Sequence, residues 1–160
     1  MIKRKVLVLM TILVLASTGC GKAEQEPLIV YSFCGENDLL AISDGIIVLN
    51  GTEETFTGGE LKVTDDSFAD IVSYSTTFYT MSGSEKDVIL SNSVVDMTGS
   101  KSNISGDLGQ VSGGNIIKID EASDLKNILY FELTTKDKDG KESVYQLQMS
   151  LTEITKYADN

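Results

Sequence analysis

Hydrophobic and polar residues alternate with period two near the end of this chain, where Leu129, Phe131 and Leu133 interleave with Tyr130, Glu132 and Thr134. After Lys138-Asp139-Gly140-Lys141 the alternation resumes, with Tyr145, Leu147, Met149 and Leu151 on one side and Val144, Gln146, Gln148 and Ser150 on the other. Two such runs around an Asp-Gly pair predict an antiparallel hairpin. Upstream, Asp44-Gly45 separates Leu39-Leu40-Ala41-Ile42 from Ile46-Ile47-Val48-Leu49, and Asn50-Gly51 closes the second run. Both dipeptides supply the positive φ of tight turns, which predicts two strands joined by a hairpin. Gly58-Gly59 precedes a strand candidate at 60–64, and residues 71–81 carry Val72, Tyr74, Thr76 and Phe78 on one parity. Residues 86–97 and 115–119 are further strand candidates, around a Gly/Ser-rich stretch at 102–114 that reads as a solvated loop. Helix is scarce, with one turn expected over 121–127 and Ser123 as its cap. About eight or nine short strands predict an all-β chain, folded as a single antiparallel β-sandwich, immunoglobulin-like in general architecture, with a small open barrel as the alternative.

The start of the chain follows a different pattern. Lys3, Arg4 and Lys5 precede an unbroken apolar run at 6–16, and Ser17-Thr18-Gly19-Cys20 follow. A basic segment, a short apolar helix and small residues before a junction make an export signal. The apolar run is about half of the roughly 20 residues a membrane-spanning helix needs. Ala16-Ser17-Thr18-Gly19-Cys20 resembles the lipobox of bacterial lipoproteins, with Ser17 where leucine is usual. The resemblance implies that 1–19 are a signal peptide removed by the lipoprotein signal peptidase, and that diacylglycerol and a fatty acid such as palmitate are attached to Cys20. Residues 20–27 would then be the lipidated cysteine and a spacer, and 28–158 the folded domain, held at the cell membrane on its extracellular or periplasmic side. Acyl chains contribute about 0.8 kcal/mol per buried CH₂, so two or three on one cysteine give a lasting anchor. Phe33-Cys34-Gly35-Glu36-Asn37 is also similar to a Phe-x-Gly-Glu opening in uncharacterised lipoproteins of Gram-positive bacteria, a resemblance that brings no activity with it.

Charge narrows the partners. The 160-residue chain has a formal net charge of −11, and loss of 1–19 removes three basic residues and no acidic one, leaving −14. Such a surface repels a phosphate backbone, which excludes nucleic acid as a partner, and it offers no electrostatic attraction to anionic lipid. The charge serves solubility and favours cations. Of the two cysteines, Cys20 is consumed by lipid, so no disulfide framework is expected. Cys34, within the strand-like run 29–34, is expected to be a buried, inert thiol.

Histidine is absent, which removes Ser-His-Asp and Cys-His catalysis and every imidazole metal site. The Gly-rich segment 106–114 contains no lysine and is no phosphate loop. Ser123-Asp124-Leu125-Lys126 matches S-x-x-K but lacks the S-D-N and K-T-G elements of penicillin-recognising enzymes, so it reads as a helix start. Glu53-Glu54 and Asp65-Asp66 read as solvated turns in an acidic chain rather than acid/base pairs. Asp137-Lys138-Asp139-Gly140-Lys141-Glu142 echoes the opening of a calcium loop, yet the spacing of a twelve-residue loop fails and a plain hairpin turn is expected. Tyr74, Phe78, Tyr79, Tyr130 and Tyr145 are expected to fill the core and its margins, and tryptophan, the preferred ring for stacking on sugars, is absent. No enzyme, metal site or cofactor beyond the covalent lipid on Cys20 is expected. These observations favour a non-catalytic interaction module of the cell envelope that contacts a protein partner, with a small-ligand, cation or glycan-binding lipoprotein for uptake or sensing as the alternative.

Overall fold

A computed structural model describes residues 28–63, 68, 70–95, 104–117 and 124–155. Cys20, the segment before it, the spacer to residue 27, Asp65-Asp66 and Ser123 lie outside the described residues. The described chain forms β1 (Ile29–Glu36), β2 (Leu40–Leu49), β3 (Glu54–Thr57), β4 (Glu60–Val63), β5 (Ile71–Ser82), β6 (Glu85–Val95), β7 (Gly106–Asp107), β8 (Gln110–Gly113), α1 (Leu125–Ile128), β9 (Leu129–Asp137), β10 (Glu142–Gln148) and β11 (Ser150–Glu153). The strands make two antiparallel sheets, as the all-β expectation requires. In the first the order is β11-β1-β2-β3-β8, with β4 also on β2 and β7 on β4; in the second it is β10-β9-β5-β6.

The first sheet departs from the hairpin expected at Asp44-Gly45, because residues 40–49 form one strand. Opposite β1, Phe33 pairs with Gly45 and Gly35 with Ile42, so Ser43 and Asp44 together face Cys34 alone. Asp44 has φ 60°. A left-handed residue serves a tight turn or a β-bulge equally, and pairing with β1 on both sides of the pair selects the bulge. The bulge then lets β2 pair with β3 over 46–49 and with β4 over 40–43. Gly58-Gly59 is the break between those two strands. Gly59 has φ +77°, and a Cβ there would overlap the Ser43 carbonyl, so glycine is required by both torsion and space.

Other differences have local causes. Glu54, read as part of a solvated turn, begins β3, and its Oε2 accepts a 2.7 Å hydrogen bond from the Ile117 backbone N–H. The loop expected at 102–114 contains β7 and β8, recruited as edge partners of β4 and β3. Asn115 sits in a turn at φ 57°, and Ile117, 1% exposed, is a buried anchor rather than part of a strand. The helical turn spans Leu125–Ile128 with Asp124 at its N-cap and no side-chain cap, and Ser123 lies outside the described residues. The long return strand after the Asp139-Gly140 turn divides at Met149, whose N–H donates to the Leu129 carbonyl at 3.0 Å. The chain thereby leaves β10 in the second sheet and enters β11 in the first within one residue.

Side chains from both sheets meet in one core. Phe33 and Phe56 from the first sheet stack at 5.2 Å, and Phe78 from the second lies 5.7 Å from Phe33 and 5.0 Å from Phe56. Phe131 adds a 5.0 Å contact with Phe78. Leu40, Ile47, Leu61, Leu129 and Leu133 are fully buried around these rings. Burial of each such side chain contributes roughly 1.5–3 kcal/mol, the term that replaces a disulfide framework here. The parity that sends Tyr31 and Phe33 inward sends Cys34 outward, so the thiol is exposed rather than buried.

Candidate functional site

The β5–β6 pairing sets the geometry of an exposed strand edge and of the cleft beside it. Tyr74 lies opposite Val94, Thr76 opposite Asn92 and Phe78 opposite Leu90, all on the face turned towards the first sheet. An extra residue at Ile89, between the Phe78–Leu90 and Tyr79–Val88 pairs, bends β6 midway. Beyond that bend Ser91 to Val95 are all exposed, with Val94 at 41% and Val95 at 65%. β6 is the last strand of its sheet, and among the described residues no strand pairs with its outer side. Free edges are ordinarily blunted by lysine, proline or a bulge within the exposed stretch. Ser91-Asn92-Ser93-Val94-Val95 has none of these; the charges of β6 sit at its other end, in Glu85, Lys86 and Asp87.

Between the inward face of this edge and the segment 104–109 lies a cleft of about 500 Å³. Thr76, Asn92 and Val94 form one wall, Ile104, Asp107 and Leu108 the other, with the Tyr74 side chain between them. The Asn92 Nδ2 donates to the Leu108 carbonyl at 2.7 Å and bridges the two walls. The far wall is held to the β3–β4 break by Gly58 N–H to the Gly109 carbonyl, 2.8 Å, and Leu108 N–H to the Gly59 carbonyl, 2.9 Å. Asp107 turns its Oδ1 onto the Gly109 N–H at 2.7 Å. Thr76 is 4% exposed, and no described residue hydrogen-bonds its hydroxyl. A buried hydroxyl left unpaired costs about 1–3 kcal/mol, so this position asks for a partner.

The outer face of the second sheet carries a tighter polar cluster. Lys86 Nζ lies 2.7 Å from Glu132 Oε2 and 4.4 Å from the centre of the Tyr79 ring, which stacks on Tyr130 at 5.7 Å. Gln146 Nε2 donates to the same carboxylate oxygen at 2.7 Å. Burial raises the Tyr79 pKa against the lowering effect of Lys86. The hydrogen bond to Glu132 raises that of Lys86, and Lys86 and then Gln146 lower that of Glu132. Each member is satisfied by another, so the cluster covers the sheet and leaves no open ring face. Phe78 and Tyr79 are buried, while Tyr74, Tyr130 and Tyr145 are half-buried, Tyr145 against Phe68 at 5.2 Å. Phe78, Tyr74 and Tyr145 lie in or against the core as expected, whereas Tyr79 and Tyr130 stack on the outer face of the second sheet.

The remaining residues singled out from the sequence stay apart. Asp137 Oδ1 accepts from the backbone N–H groups of Asp139 and Lys141, each at 2.9 Å, and Lys138 faces Asp70 at 3.6 Å. That carboxylate organises the hairpin turn. Among the described residues no group of three or more Asp, Glu or Cys side chains gathers as metal ligands. Lys126 reaches Glu153 at 3.9 Å and lies 5.9 Å from the Tyr31 ring. Thr76, Asn92 and Asp107 had no motif to mark them; their meeting depends on strand register and on packing between sheets.

No protein-family model, curated protein or solved structure matches this chain.

Proposed function

We propose that the chain is an exported lipoprotein, tethered through acylated Cys20 to the extracellular or periplasmic side of the cell membrane. In this reading its two sheets form one antiparallel β-sandwich, immunoglobulin-like in general architecture, that works as a non-catalytic interaction module of the envelope. A sandwich accounts better than an open barrel for a β6 that meets the first sheet through the Asn92 side chain and not through a backbone ladder.

The open, uncharged edge at Ser91–Val95 carries the functional reading. An exposed strand edge is a template for an extended segment of another protein, whose main chain supplies the hydrogen bonds and whose alternate side chains supply specificity. Val94 and Val95 offer apolar contact on opposite faces of the edge. With the whole chain strongly acidic, the segment accepted here is neutral or basic, since an acidic one would be repelled during approach. Carboxylate chemistry finds no support in the cleft, where Asp107 is the one carboxylate among the described lining residues.

The test is photo-crosslinking in the native host, with a photoreactive residue at Ser93 or Val95 of the full chain. A discrete covalent adduct with another envelope protein, recovered in the membrane fraction and absent when Val95 is replaced by Pro or when Cys20→Ser prevents anchoring, is the expected result. Equal labelling from Ser93 and from Asp139, on the distant hairpin turn, or no adduct at all, overturns it.

A further inference from the structure

We infer that the cleft between β5–β6 and residues 104–109 binds a small organic cation, an amine carried on an apolar body. The inference is independent of the edge pairing proposed above, because it concerns the inward face of β6 and not its outer backbone. Its volume of about 500 Å³ falls within the range of small-molecule sites, roughly 300–1,000 Å³. The apolar part of the lining comes from Ile104 and Leu108, both nearly fully buried, from half-exposed Val94 and from the Tyr74 ring.

The polar part selects the charge. Thr76 presents a buried hydroxyl that no described residue uses, and the Asn92 amide, having given Nδ2 to Leu108, keeps Oδ1 as an acceptor. Asp107 spends one oxygen on Gly109 and keeps the other. The cleft therefore has three oxygen acceptors among its lining residues, and among the described residues of the lining no lysine or arginine appears. An ammonium has three N–H donors and no acceptor, which matches that set; the Thr76 hydroxyl and the second Asn92 Nδ2 N–H could donate to an anion, but a carboxylate or phosphate would also meet the Asp107 charge with no cation among the described lining residues. Hydrogen bonds from a cation to the Asp107 carboxylate are of the stronger, charge-assisted kind, and the neighbouring Tyr74 ring adds a face for cation–π contact. The net charge of the chain raises the local concentration of cations still further.

Three probes of matched shape test this on the full lipoprotein in detergent micelles: 2-phenylethylamine, 2-phenylethanol and 3-phenylpropanoate, followed through backbone amide chemical shifts. The amine is expected to give saturable shifts at Thr76, Asn92 and Leu108 and to bind about tenfold or more tightly than the alcohol, with no saturable shift from the acid. Asp107→Asn keeps an oxygen for Gly109 and removes the charge, and Thr76→Val keeps the shape and removes the hydroxyl. Each should weaken the amine about tenfold. Val94→Arg, at an exposed position on the cleft wall, should abolish binding and serves if either other variant fails to fold. Absence of saturable shifts at these amides, equal binding of the alcohol or the acid, or an Asp107→Asn protein that binds the amine unchanged, would overturn the inference.

Discussion

Replacing Phe78 by Ala removes the ring with the most aromatic contacts among the described residues, two with the first sheet and one within its own. Phe78 is 1% exposed and has Phe33, Phe56 and Phe131 at 5.7, 5.0 and 5.0 Å. Truncating a buried Phe costs about 3–5 kcal/mol, and the loss of three ring pairs, each about 0.5–1.5 kcal/mol, places this site at the top of that range. Phe68, with a single ring contact to Tyr145, belongs at the bottom of it. With a urea slope of about 2 kcal/mol/M for a domain of this size, Phe78→Ala should lower the unfolding midpoint by about 2.5 M and Phe68→Ala by about 1.5 M. The assay is urea unfolding of the lipoprotein in mild detergent, followed in parallel by far-UV circular dichroism and by tyrosine fluorescence, which no tryptophan obscures. A loss of less than about 1 kcal/mol for Phe78→Ala at unchanged slope would refute the account, because it would mean that this ring does not join the sheets.

Cys34 should react stoichiometrically with a maleimide in the native protein without denaturant, and a thiol that reacts only after unfolding would contradict its outward parity. Gly59→Ala and Gly83→Ala both place a side chain at positive φ, yet only Gly59 has backbone within reach of the new Cβ. Gly83→Ala should therefore cost about 1–2 kcal/mol and Gly59→Ala distinctly more, measured as thermal midpoints; equal costs would remove the bulge contact from the explanation. The lowered pKa of Glu132 makes its ion pair a stabilising contribution that is present above the ordinary glutamate pKa and is lost as pH falls through the folded value. Because Lys86 is 45% exposed, that contribution is below about 1 kcal/mol; Glu132→Gln should flatten the acid limb of the stability profile by this small amount, and an unchanged limb would show the pair to be energetically idle.

What was legible in the sequence was whatever depends on near neighbours. The hairpin of β9 and β10 shows in the period-two pattern, and the structure pairs Leu133 with Tyr145 and Phe131 with Leu147 across it. Asp44-Gly45 announced a left-handed residue correctly, but whether the chain reverses there depends on β1, a partner that lies on the far side of the pair. β3 holds one apolar residue, Phe56, and takes its conformation from pairing with β2. The outward aim of Cys34 was available from the parity of Tyr31 and Phe33; a general preference of cysteine for interiors obscured it. The cleft was not legible at all. Thr76 and Asn92 become neighbours through a register that passes a bulge, and 104–109 reads locally as a loop.

The first and last strands of the described chain are neighbours: β11 lies along β1, the Ile154 N–H donates to the Val30 carbonyl at 2.8 Å, and Val30 N–H donates to Thr155 Oγ1, 125 positions away. This sheet therefore gains β11 only after every other described strand has been synthesised, and a nascent polypeptide that has not reached residue 155 lacks that ladder. Until then the outer edge of β1 has no β11 to pair with, and the pairing that completes it spans more than a hundred positions, a slow, non-local kind of contact. Loss of residues 150–155 would thereby strip β1 of a partner strand as well.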